Sequence, residues 1–302
     1  MEKPLMTRVS YIDCSAFMKT ILIAEAPDHE IAVHLGDPVD QRDLRGRIGD
    51  AEVILNGHTF MDAGMLDDLP TLQRIVFLGT GAGSYIDLAA AAKRGVTIDT
   101  IAGYGDRSVA EHAFALILAA ARRVTEMDSA LRAGVWEPLE GLEMSGRRLG
   151  ILGFGGIGRE LATMARGFGM IPLIWNRSGV SEEWHMHEAP LDAVLSQSDV
   201  VSLHLALTPD THGFLDAKRL MLLKERAILV NTARGGLIDE AALVAALREG
   251  RLKYAALDVF SEEPLPLGHP LLDCDNVTLT AHAGFKTEAA SRNLIRKALA
   301  LL

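Results

Sequence analysis

The chain has 302 residues, of which 49% are hydrophobic and 23% are charged. This length and composition are typical of a globular protein with about two domains and a sizeable core. The formal net charge of −10 argues against a general nucleic-acid-binding protein and against a protein that binds anionic membranes.

Cysteine spacing and apolar runs narrow the class of protein further. Cys14 and Cys274 have neither metal-ligand nor CxxC spacing, so we expect no bound metal. One disulfide between them is the alternative, but nothing else points to secretion, so we expect reduced cysteines. The longest apolar run, residues 113–121, is shorter than the roughly 20 residues that a membrane span needs. No apolar segment of a signal peptide follows residues 1–4. We therefore expect a cytoplasmic protein with no membrane or nucleic-acid partner.

The first hundred residues alternate short apolar runs with helical stretches. Strands are predicted at residues 20–24, 51–56, 74–79 and 96–100. Short helices are predicted at residues 62–69 and 88–94. Strands that alternate with helices predict a parallel sheet covered on both faces, and hence an α/β domain.

Two loops of this region stand out. Residues 79–84 contain three glycines and follow a predicted strand, at the edge where open parallel sheets bind ligands. Exposed backbone N–H groups there are able to hold a carboxylate, although a flexible connection explains the glycines equally well. Further along, Ser108 and Glu111 have the spacing of a capping box, which predicts a helix over residues 108–124.

Residues 148–178 contain the most informative pattern in the chain. Gly153, Gly155 and Gly158 follow a predicted strand and precede a predicted helix and a second strand. This βαβ arrangement is the context that the dinucleotide-binding fingerprint G-x-G-x-x-G requires. Gly153 is expected to make the tight turn, Gly155 to let a pyrophosphate approach the backbone, and Gly158 to let helix and strand pack closely. The N-terminus of the helix offers amide donors to the phosphates.

The end of the second strand indicates which dinucleotide is preferred. NAD-binding units usually place an acidic residue there to accept hydrogen bonds from the ribose. This chain has Asn176, Arg177 and Ser178 instead. Asn176 does not repel a 2′-phosphate, Arg177 can pair with it, and Ser178 can donate a hydrogen bond to it. We therefore predict NADP(H) as the preferred cofactor, with NAD(H) possible; an ordinary polar strand end is the alternative.

Predicted strands and helices continue to alternate downstream, and three of the strand ends are followed by a functional side chain. Arg234, Glu263 and His282 come after successive strands, and Asp258 lies within the strand before Glu263. Arg234 is suited to clamp a carboxylate through two hydrogen bonds. His282 is suited to transfer a proton, and Glu263 to orient it. Each residue alone is most often a solvated loop residue, but their joint placement favours an acid/base site that acts on an anion.

Several separated motifs now suggest a family. They are SVAEHAFALILAAARR, LGILGFGGIGRELA, LHLALTPDTHGFL, LVNTARGGLIDEAALVAAL, ALDVFSEEPLPLGHPLL and TAHAGFKT. With these motifs in this order, the chain resembles the D-isomer-specific 2-hydroxyacid dehydrogenase family over nearly its whole length. The resemblance implies two Rossmann-like or flavodoxin-like α/β domains with parallel sheets and an active site in the cleft between them. It assigns residues 1–101 and 283–302 to a substrate domain and residues 102–282 to a dinucleotide-binding domain, and it implies a homodimer.

The resemblance also implies roles for individual residues. Arg234 would bind the substrate carboxylate, Glu263 would pair with the acid/base His282, and Asp258 would hold the nicotinamide carboxamide. Ala82 and Gly83 would offer amides to the substrate carboxylate. The implied cofactor-binding set is Gly153, Phe154, Gly155, Gly156, Ile157, Gly158, Asn176, Arg177, Ser178, His204, Leu205, Thr232, Ala233, Arg234, Asp258, His282 and Gly284.

These features predict hydride transfer between NADP(H) and C2 of a small 2-oxo or 2-hydroxy acid, with D specificity and of the glyoxylate or hydroxypyruvate reductase type. The chain departs from the family pattern at three places. Asn176, Arg177 and Ser178 stand where the usual acidic residue is, which argues against an NAD preference, and Ser84 and Tyr85 replace a common Asp-Asn or Asp-His pair, so different substrate contacts are expected there. Ala281 replaces a common proline, with no mechanism attached. A nucleotide-sensing or corepressor-type binding protein on the same fold is the alternative from another class. Formate or phosphonate oxidation on the same scaffold is a weaker one.

Overall fold

The computed structural model describes residues 7–26 and 30–302. Residues 1–4, which enter the signal-peptide argument, lie outside the described residues. The chain divides into two compact units: Met1–Gly105 with Lys286–Leu302, here called the N-terminal unit, and Asp106–Phe285, here called the central unit. Each unit is an α/β structure around one parallel sheet, which confirms the predicted fold class.

The N-terminal unit has a five-stranded parallel sheet. Its strands are β1 (Val9–Cys14), β2 (Ile31–Leu35), β3 (Val53–Asn56), β4 (Arg74–Phe77) and β5 (Thr97–Thr100). Its helices are α1 (Ala16–Glu25), α2 (Gln41–Ile48), α3 (Ala63–Asp67), α4 (Leu88–Lys93) and a C-terminal helix (Glu288–Leu299). The strand order β2-β1-β3-β4-β5 is the flavodoxin-like order, in which the direction of winding reverses between β1 and β3.

One strand prediction in this unit is wrong. Residues 20–24 lie within α1, which begins after Ser15, whose hydroxyl accepts a hydrogen bond from the Met18 N–H as an N-cap. Ile21 and Leu22 are buried in one apolar cluster with residues of the C-terminal helix. A short apolar run fits one buried face of a helix as well as it fits a strand, so periodicity alone did not separate the two.

The central unit has a six-stranded parallel sheet. Its strands are β6 (Arg148–Leu152), β7 (Ile171–Trp175), β8 (Val200–Leu203), β9 (Ile228–Asn231), β10 (Tyr254–Leu257) and β11 (Val277–Leu279). Its helices are α5 (Asp106–Arg122), α6 (Val124–Arg132), α7 (Gly156–Gly167), α8 (Leu191–Gln197), α9 (Ala217–Leu220) and α10 (Glu240–Arg248). The strand order is β11-β10-β9-β8-β6-β7, and an isolated parallel bridge joins Ile174 of β7 to Glu188. The winding reverses between β6 and β8, where nucleotides bind in folds of this class.

The capping box predicted at the start of α5 is wrong. The helix begins at Asp106, so Ser108 is its third residue, with a buried side chain, rather than the residue that precedes it. Glu111 instead pairs with Arg107 one turn earlier, at 2.8 Å. Asp106 places a negative charge in the first turn, where the helix dipole favours it, and this extends the helix by two residues beyond the predicted start.

The sheet of the central unit is apolar on both faces. One large cluster of buried side chains includes Leu203, Leu229 and Leu243, and a second includes Leu149, Ile151 and Ile117. Because the strands themselves are fully covered, functional groups are left to the loops at their carboxyl ends. Those loops follow β6, β7, β8, β9, β10 and β11.

Candidate active site

The turn after β6 has the geometry that a dinucleotide requires. Gly153 has a φ of 98°, a left-handed conformation that favours glycine, and a Cβ there would lie 2.4 Å from the backbone oxygen of His204. Gly155 caps α7, and a Cβ added to it would meet nothing within 4 Å. A Cβ on Gly158 would lie 2.3 Å from the backbone oxygen of Gly153, so strand and helix pack directly on each other. Open space over Gly155, beside the first amides of α7, fits an approaching pyrophosphate.

The end of β7 is tied to this turn by Asn176. Its Oδ1 accepts a hydrogen bond from the Phe154 N–H at 3.1 Å, and its Nδ2 donates to Ser178 Oγ and to the Gly179 oxygen. The Asn176 side chain therefore uses its hydrogen bonds to hold the backbone of the turn. Arg177 is exposed and forms no ion pair with the described residues. The Arg177 guanidinium is therefore available to a phosphate at this strand end.

Two buried polar atoms near the carboxyl ends of β8 and β9 have no hydrogen-bond partner among the described residues. They are His204 Nδ1 and Thr232 Oγ1. His204 Nε2 lies 2.9 Å from Ser202 Oγ, and burial lowers the pKa of His204 to about 4, so the ring is neutral. Buried polar atoms without partners are rare in folded proteins. Both residues belong to the predicted cofactor-binding set, and a bound dinucleotide fits as the missing partner.

Arg234 is held in a braced turn after β9. Asn231 Nδ2 donates to the Arg234 backbone oxygen at 2.9 Å, and Asn231 Oδ1 accepts from the Ala233 N–H at 3.0 Å. A Cβ on Gly235 would lie 1.9 Å from the backbone carbon of Phe260, so this turn packs against the loop that carries Glu263. The Arg234 side chain is half-buried and forms no ion pair with the described residues. Its guanidinium donates one hydrogen bond, from Nη1 to the Ala233 oxygen at 2.6 Å, and its other N–H groups are available to an anionic ligand.

Glu263 and His282 form a short pair. His282 Nδ1 lies 2.7 Å from Glu263 Oε2, and each side chain is 33% exposed. Burial of the Glu263 carboxyl opposes ionisation, but hydrogen bonds from His282 and the Phe260 N–H, with the charges of His282 and Arg234, lower the pKa of Glu263 below its ordinary value. An ionised Glu263 accepts a hydrogen bond, so His282 Nδ1 carries a proton. The other ring nitrogen, Nε2, has no partner among the described residues and is the atom that can exchange a proton with a ligand.

Asp258 organises the loop that carries His282. Its Oδ1 accepts hydrogen bonds from the Thr280 hydroxyl at 2.6 Å and the Ala283 N–H at 2.9 Å, and its Oδ2 accepts from the Gly284 N–H at 2.9 Å. Burial opposes ionisation, but these bonds and one from His112 hold the pKa of Asp258 at about 2. Asp258 is thus ionised, and its carboxylate accepts hydrogen bonds that hold the loop of His282. It has this role whether or not it also contacts a cofactor.

His112 was not identified from the sequence, although it is the histidine in a motif that carried the family resemblance. It lies on α5, with Nε2 3.2 Å from Asp258 Oδ1 and 3.1 Å from Thr280 Oγ1. The sequence did contain one indication of its role, since His112 is a polar residue beside the buried, largely apolar face of a helix.

The remaining predicted residues lie in the N-terminal unit. Ala82 and Gly83 open a short 3-10 turn after β4, and Ala82 is buried while Gly83 is exposed. Their N–H groups donate to no backbone carbonyl outside that turn within the described part of the chain. Across residues 7–26 and 30–302, no helix is long and apolar enough to cross a membrane, and no group of three or more side chains has the arrangement of a metal site.

Known proteins resemble this chain along most of its length. A family model described as the NAD-binding domain of D-isomer specific 2-hydroxyacid dehydrogenases matches residues 114–284. A glyoxylate reductase from Korarchaeum cryptofilum is 38% identical over 82% of this chain and 77% of its own. A D-3-phosphoglycerate dehydrogenase from Methanocaldococcus jannaschii is 34% identical over 91% of this chain and 55% of its own. Among solved structures, an acyclic imino acid reductase in complex with NADPH and D-Arg is 25% identical, with a TM-score of 0.85 over 97% of this chain and 94% of its own.

These matches confirm the family predicted from the motifs. The family model covers the fingerprint, Arg234, Glu263 and His282 in one continuous segment. The glyoxylate reductase adds a relative whose similarity extends over most of both chains. The chain therefore belongs to the D-isomer specific 2-hydroxyacid dehydrogenase family and is an oxidoreductase of that class.

Proposed function

We propose that the protein reduces a small 2-oxo acid, of the glyoxylate or hydroxypyruvate type, to the D-2-hydroxy acid with NADPH. The observation that carries this proposal is the His282–Glu263 pair beside the Arg234 guanidinium: His282 Nε2 has no partner, and Arg234 has no ion pair, among the described residues. A proton donor and a carboxylate-binding cation at one sheet edge are what the reduction of a 2-oxo acid needs.

Each residue contributes a distinct interaction to this reaction. Arg234 binds the substrate carboxylate and keeps the adjacent carbonyl in place. His282, protonated at both ring nitrogens, donates the Nε2 proton to the carbonyl oxygen as negative charge develops there. Glu263 stays ionised and stabilises the imidazolium until the proton leaves. A bound nicotinamide supplies the hydride that C2 accepts. Ala82 and Gly83 are proposed to add amide donors to the substrate carboxylate.

The preference for NADPH rests on the end of β7. The residue at the end of the strand, Asn176, is uncharged, and its side chain is used by the Phe154 and Gly179 backbone rather than offered to ribose hydroxyls. Arg177 is exposed and unpaired within the described residues, and Ser178 Oγ keeps a proton to donate because it accepts from Asn176. Among the relatives, the imino acid reductase structure contains NADPH.

The test is a panel of initial rates with wild-type enzyme and two arginine variants. Glyoxylate, hydroxypyruvate, 3-phosphohydroxypyruvate and an aromatic 2-oxo acid are each offered with NADPH and with NADH. Arg177→Ala should raise the KM for NADPH roughly tenfold to a hundredfold, since it removes charge-assisted hydrogen bonds worth about 1.5–3 kcal/mol, and should leave the KM for NADH unchanged. The exposed Arg42 of α2 is the matched control, because Arg42→Ala removes the same charge in the other unit.

The outcomes separate the parts of the proposal. A wild-type preference for NADH above tenfold refutes the cofactor assignment but not the chemistry. Tight NADPH binding without turnover of any 2-oxo acid refutes the chemistry and favours a nucleotide-sensing binding protein. Arg234→Ala should abolish reduction while NADPH binding, followed by fluorescence, stays within threefold.

We further propose that the enzyme is a homodimer. Four large apolar side chains on and after α6 are exposed: Val124, Leu131, Val135 and Trp136. Large apolar side chains exposed this close together in the chain are a feature that we take to mark a protein interface. Light scattering should give twice the protomer mass of 32.6 kDa, and Trp136→Glu should give the monomer. A monomeric wild type at micromolar concentration contradicts the proposal.

A further inference from the structure

His282 has a backbone conformation that its surroundings must enforce. Its φ is 49°, in the left-handed region that non-glycine residues rarely adopt. Such residues persist where neighbouring contacts over-determine them. Here the contacts come from Asp258, whose backbone oxygen accepts from the His282 N–H at 2.8 Å and whose carboxylate accepts from Ala283 and Gly284. The position of Asp258 therefore sets the position of the proposed proton donor.

The Asp258 carboxylate is in turn held from the side of α5. The hydroxyl of Thr280 has one proton, and its 2.6 Å contact with Asp258 Oδ1 uses it. Thr280 Oγ1 must then accept from His112 Nε2, which lies 3.1 Å away. His112 Nε2–H also lies 3.2 Å from Asp258 Oδ1, so one N–H is shared between the two oxygens. The hydrogen-bond network assigns the Nε2 proton of His112 without reference to any ligand.

The fit around the ring is close. A Cβ on Gly284 would lie 3.4 Å from His112 Cδ2 and 3.2 Å from Asp258 Oδ2, so the absence of a side chain there leaves room for both groups. The side chain of His112 is 23% exposed and that of Asp258 is 2% exposed. A hydrogen bond to a buried carboxylate is poorly replaced by water, so loss of this donor leaves the carboxylate undersatisfied.

We infer that His112 is a positioning residue for the reaction: through Asp258 and Thr280 it keeps the loop of residues 280–284 in the conformation that aims His282 at the substrate. This inference rests on the proposed function, because it needs His282 as the proton donor. His112 lies on α5, whereas Arg234 and the glycine turn of residues 153–158 are held by contacts that do not include it. Loss of the His112 donor should therefore impair proton transfer and spare both binding steps.

The test compares two substitutions at this position. His112→Leu removes the donor and keeps an apolar side chain of similar bulk. His112→Gln places an amide N–H near the position of Nε2. We expect His112→Leu to lower kcat roughly tenfold to a hundredfold, the effect of a misplacement of about 1 Å, with the KM for the 2-oxo acid and the Kd for NADPH within threefold of wild type. In His112→Gln, the fall in log kcat should be at most half of the fall seen in His112→Leu.

Two controls separate this role from a general structural one. Thr280→Val breaks the same network from the other side and should give the same kinetic pattern, and the double variant with His112→Leu should be no worse than either alone. Thr125→Val removes a hydroxyl that bonds to Thr278 on β11 and to Tyr254 on β10, outside the network of His112, Thr280 and Asp258, and kcat should stay within twofold. If kcat for His112→Leu stays within twofold, or if KM and Kd rise in parallel with the fall in kcat, the inference is wrong.

A second readout does not depend on turnover. Diethyl pyrocarbonate modifies unprotonated imidazoles, and mass spectrometry follows each histidine separately. His112→Leu should change the modification rate of His282 at least threefold and leave that of His58, which is 54% exposed in the N-terminal unit, unchanged. An inactive wild type would refute the proposed function, whereas an unchanged His282 rate would refute the positioning role by itself.

Discussion

Gly155 and Gly158 lie three residues apart in the fingerprint, yet alanine at the two positions should fail for different reasons. A methyl group on Gly155 would meet no atom within 4 Å and would protrude into the space over the start of α7. The φ of −77° and ψ of −161° at Gly155 are open to alanine. Loss of a favourable N-cap residue is then the main cost, about 0.5–1 kcal/mol of unfolding free energy. The pyrophosphate, however, would be displaced from the amides of the turn, and two lost charge-assisted hydrogen bonds at about 1.5 kcal/mol each weaken NADPH binding more than a hundredfold.

For Gly158→Ala, by contrast, the main expected effect is a loss of stability. Its methyl group would lie 2.3 Å from the Gly153 oxygen and 3.3 Å from Ile151 Cγ2, and neither neighbour is a flexible chain end. Strand and helix must then separate, at the upper end of the 1–3 kcal/mol range that is typical of overpacking.

Urea unfolding and NADPH fluorescence titration on both variants check these two expectations. A Gly155→Ala variant that is stable and binds NADPH within threefold of wild type would refute the placement of the pyrophosphate over this turn.

Two further predictions concern the loops of the site. Gly235→Ala places a methyl group 1.9 Å from the backbone of Phe260, so we expect a loss of about 3 kcal/mol in unfolding free energy by urea titration, while Gly46→Ala in α2, where nothing lies within 4 Å, should not destabilise. Equal stability of the two variants would contradict the contact. The folded-state pKa of Asp258, about 2, lies below the unfolded value of about 3.9, so its stabilisation is complete above pH 4 and is lost as the pH falls towards 2. Asp258→Asn should remove about 2 kcal/mol of stability at pH 7 and flatten the profile between pH 4 and 2; an unchanged slope there would assign the acid sensitivity to other carboxyls.

The central unit was the more predictable part of the chain because its pattern is local. The G-x-G-x-x-G spacing, the strand before it and the helix after it lie within about twenty residues, and βαβ geometry places each glycine. Arg234, Glu263 and His282 were found in the same way, since each follows a short buried strand at the edge where such sheets bind ligands. The structure brings these three residues to one edge of one sheet.

The N-terminal unit was harder to predict because buried polar residues interrupt its apolar runs. Strand β1 lies between β2 and β3, yet it contains Ser10 and Asp13, both buried. Ser10 donates to the Arg47 oxygen, and Asp13 accepts from the N–H groups of residues 57–59. These long-range hydrogen bonds make the burial of polar groups acceptable, but nothing in the local pattern reveals them. The local pattern therefore predicts the strand at the continuous apolar run within α1 instead.

Some functional residues could not be predicted from their position after a strand, because their roles depend on contacts between residues that are distant in the sequence. His112 and Thr280 are 168 residues apart, so no spacing rule connects them. The role of Asn176 was only half predicted for the same reason. Its lack of charge was read from the sequence, whereas its hydrogen bonds to the turn backbone depend on the fold.

The proposed chemistry and the proposed cofactor preference should differ in how readily they change. The loops that carry Arg234 and Glu263 meet backbone to backbone at Gly235, and the loop that carries His282 is fastened to Asp258 by buried hydrogen bonds. A substitution that shifts one of these loops disturbs its neighbour, because close-packed backbone has no room to absorb the movement. Arg177, by contrast, is exposed at the end of β7, and Asn176 fixes that turn through its own side chain. An exchange at Arg177 therefore alters the charge offered to the ribose without disturbing a packed contact, so cofactor preference should change at little cost in stability while the acid/base geometry stays constant.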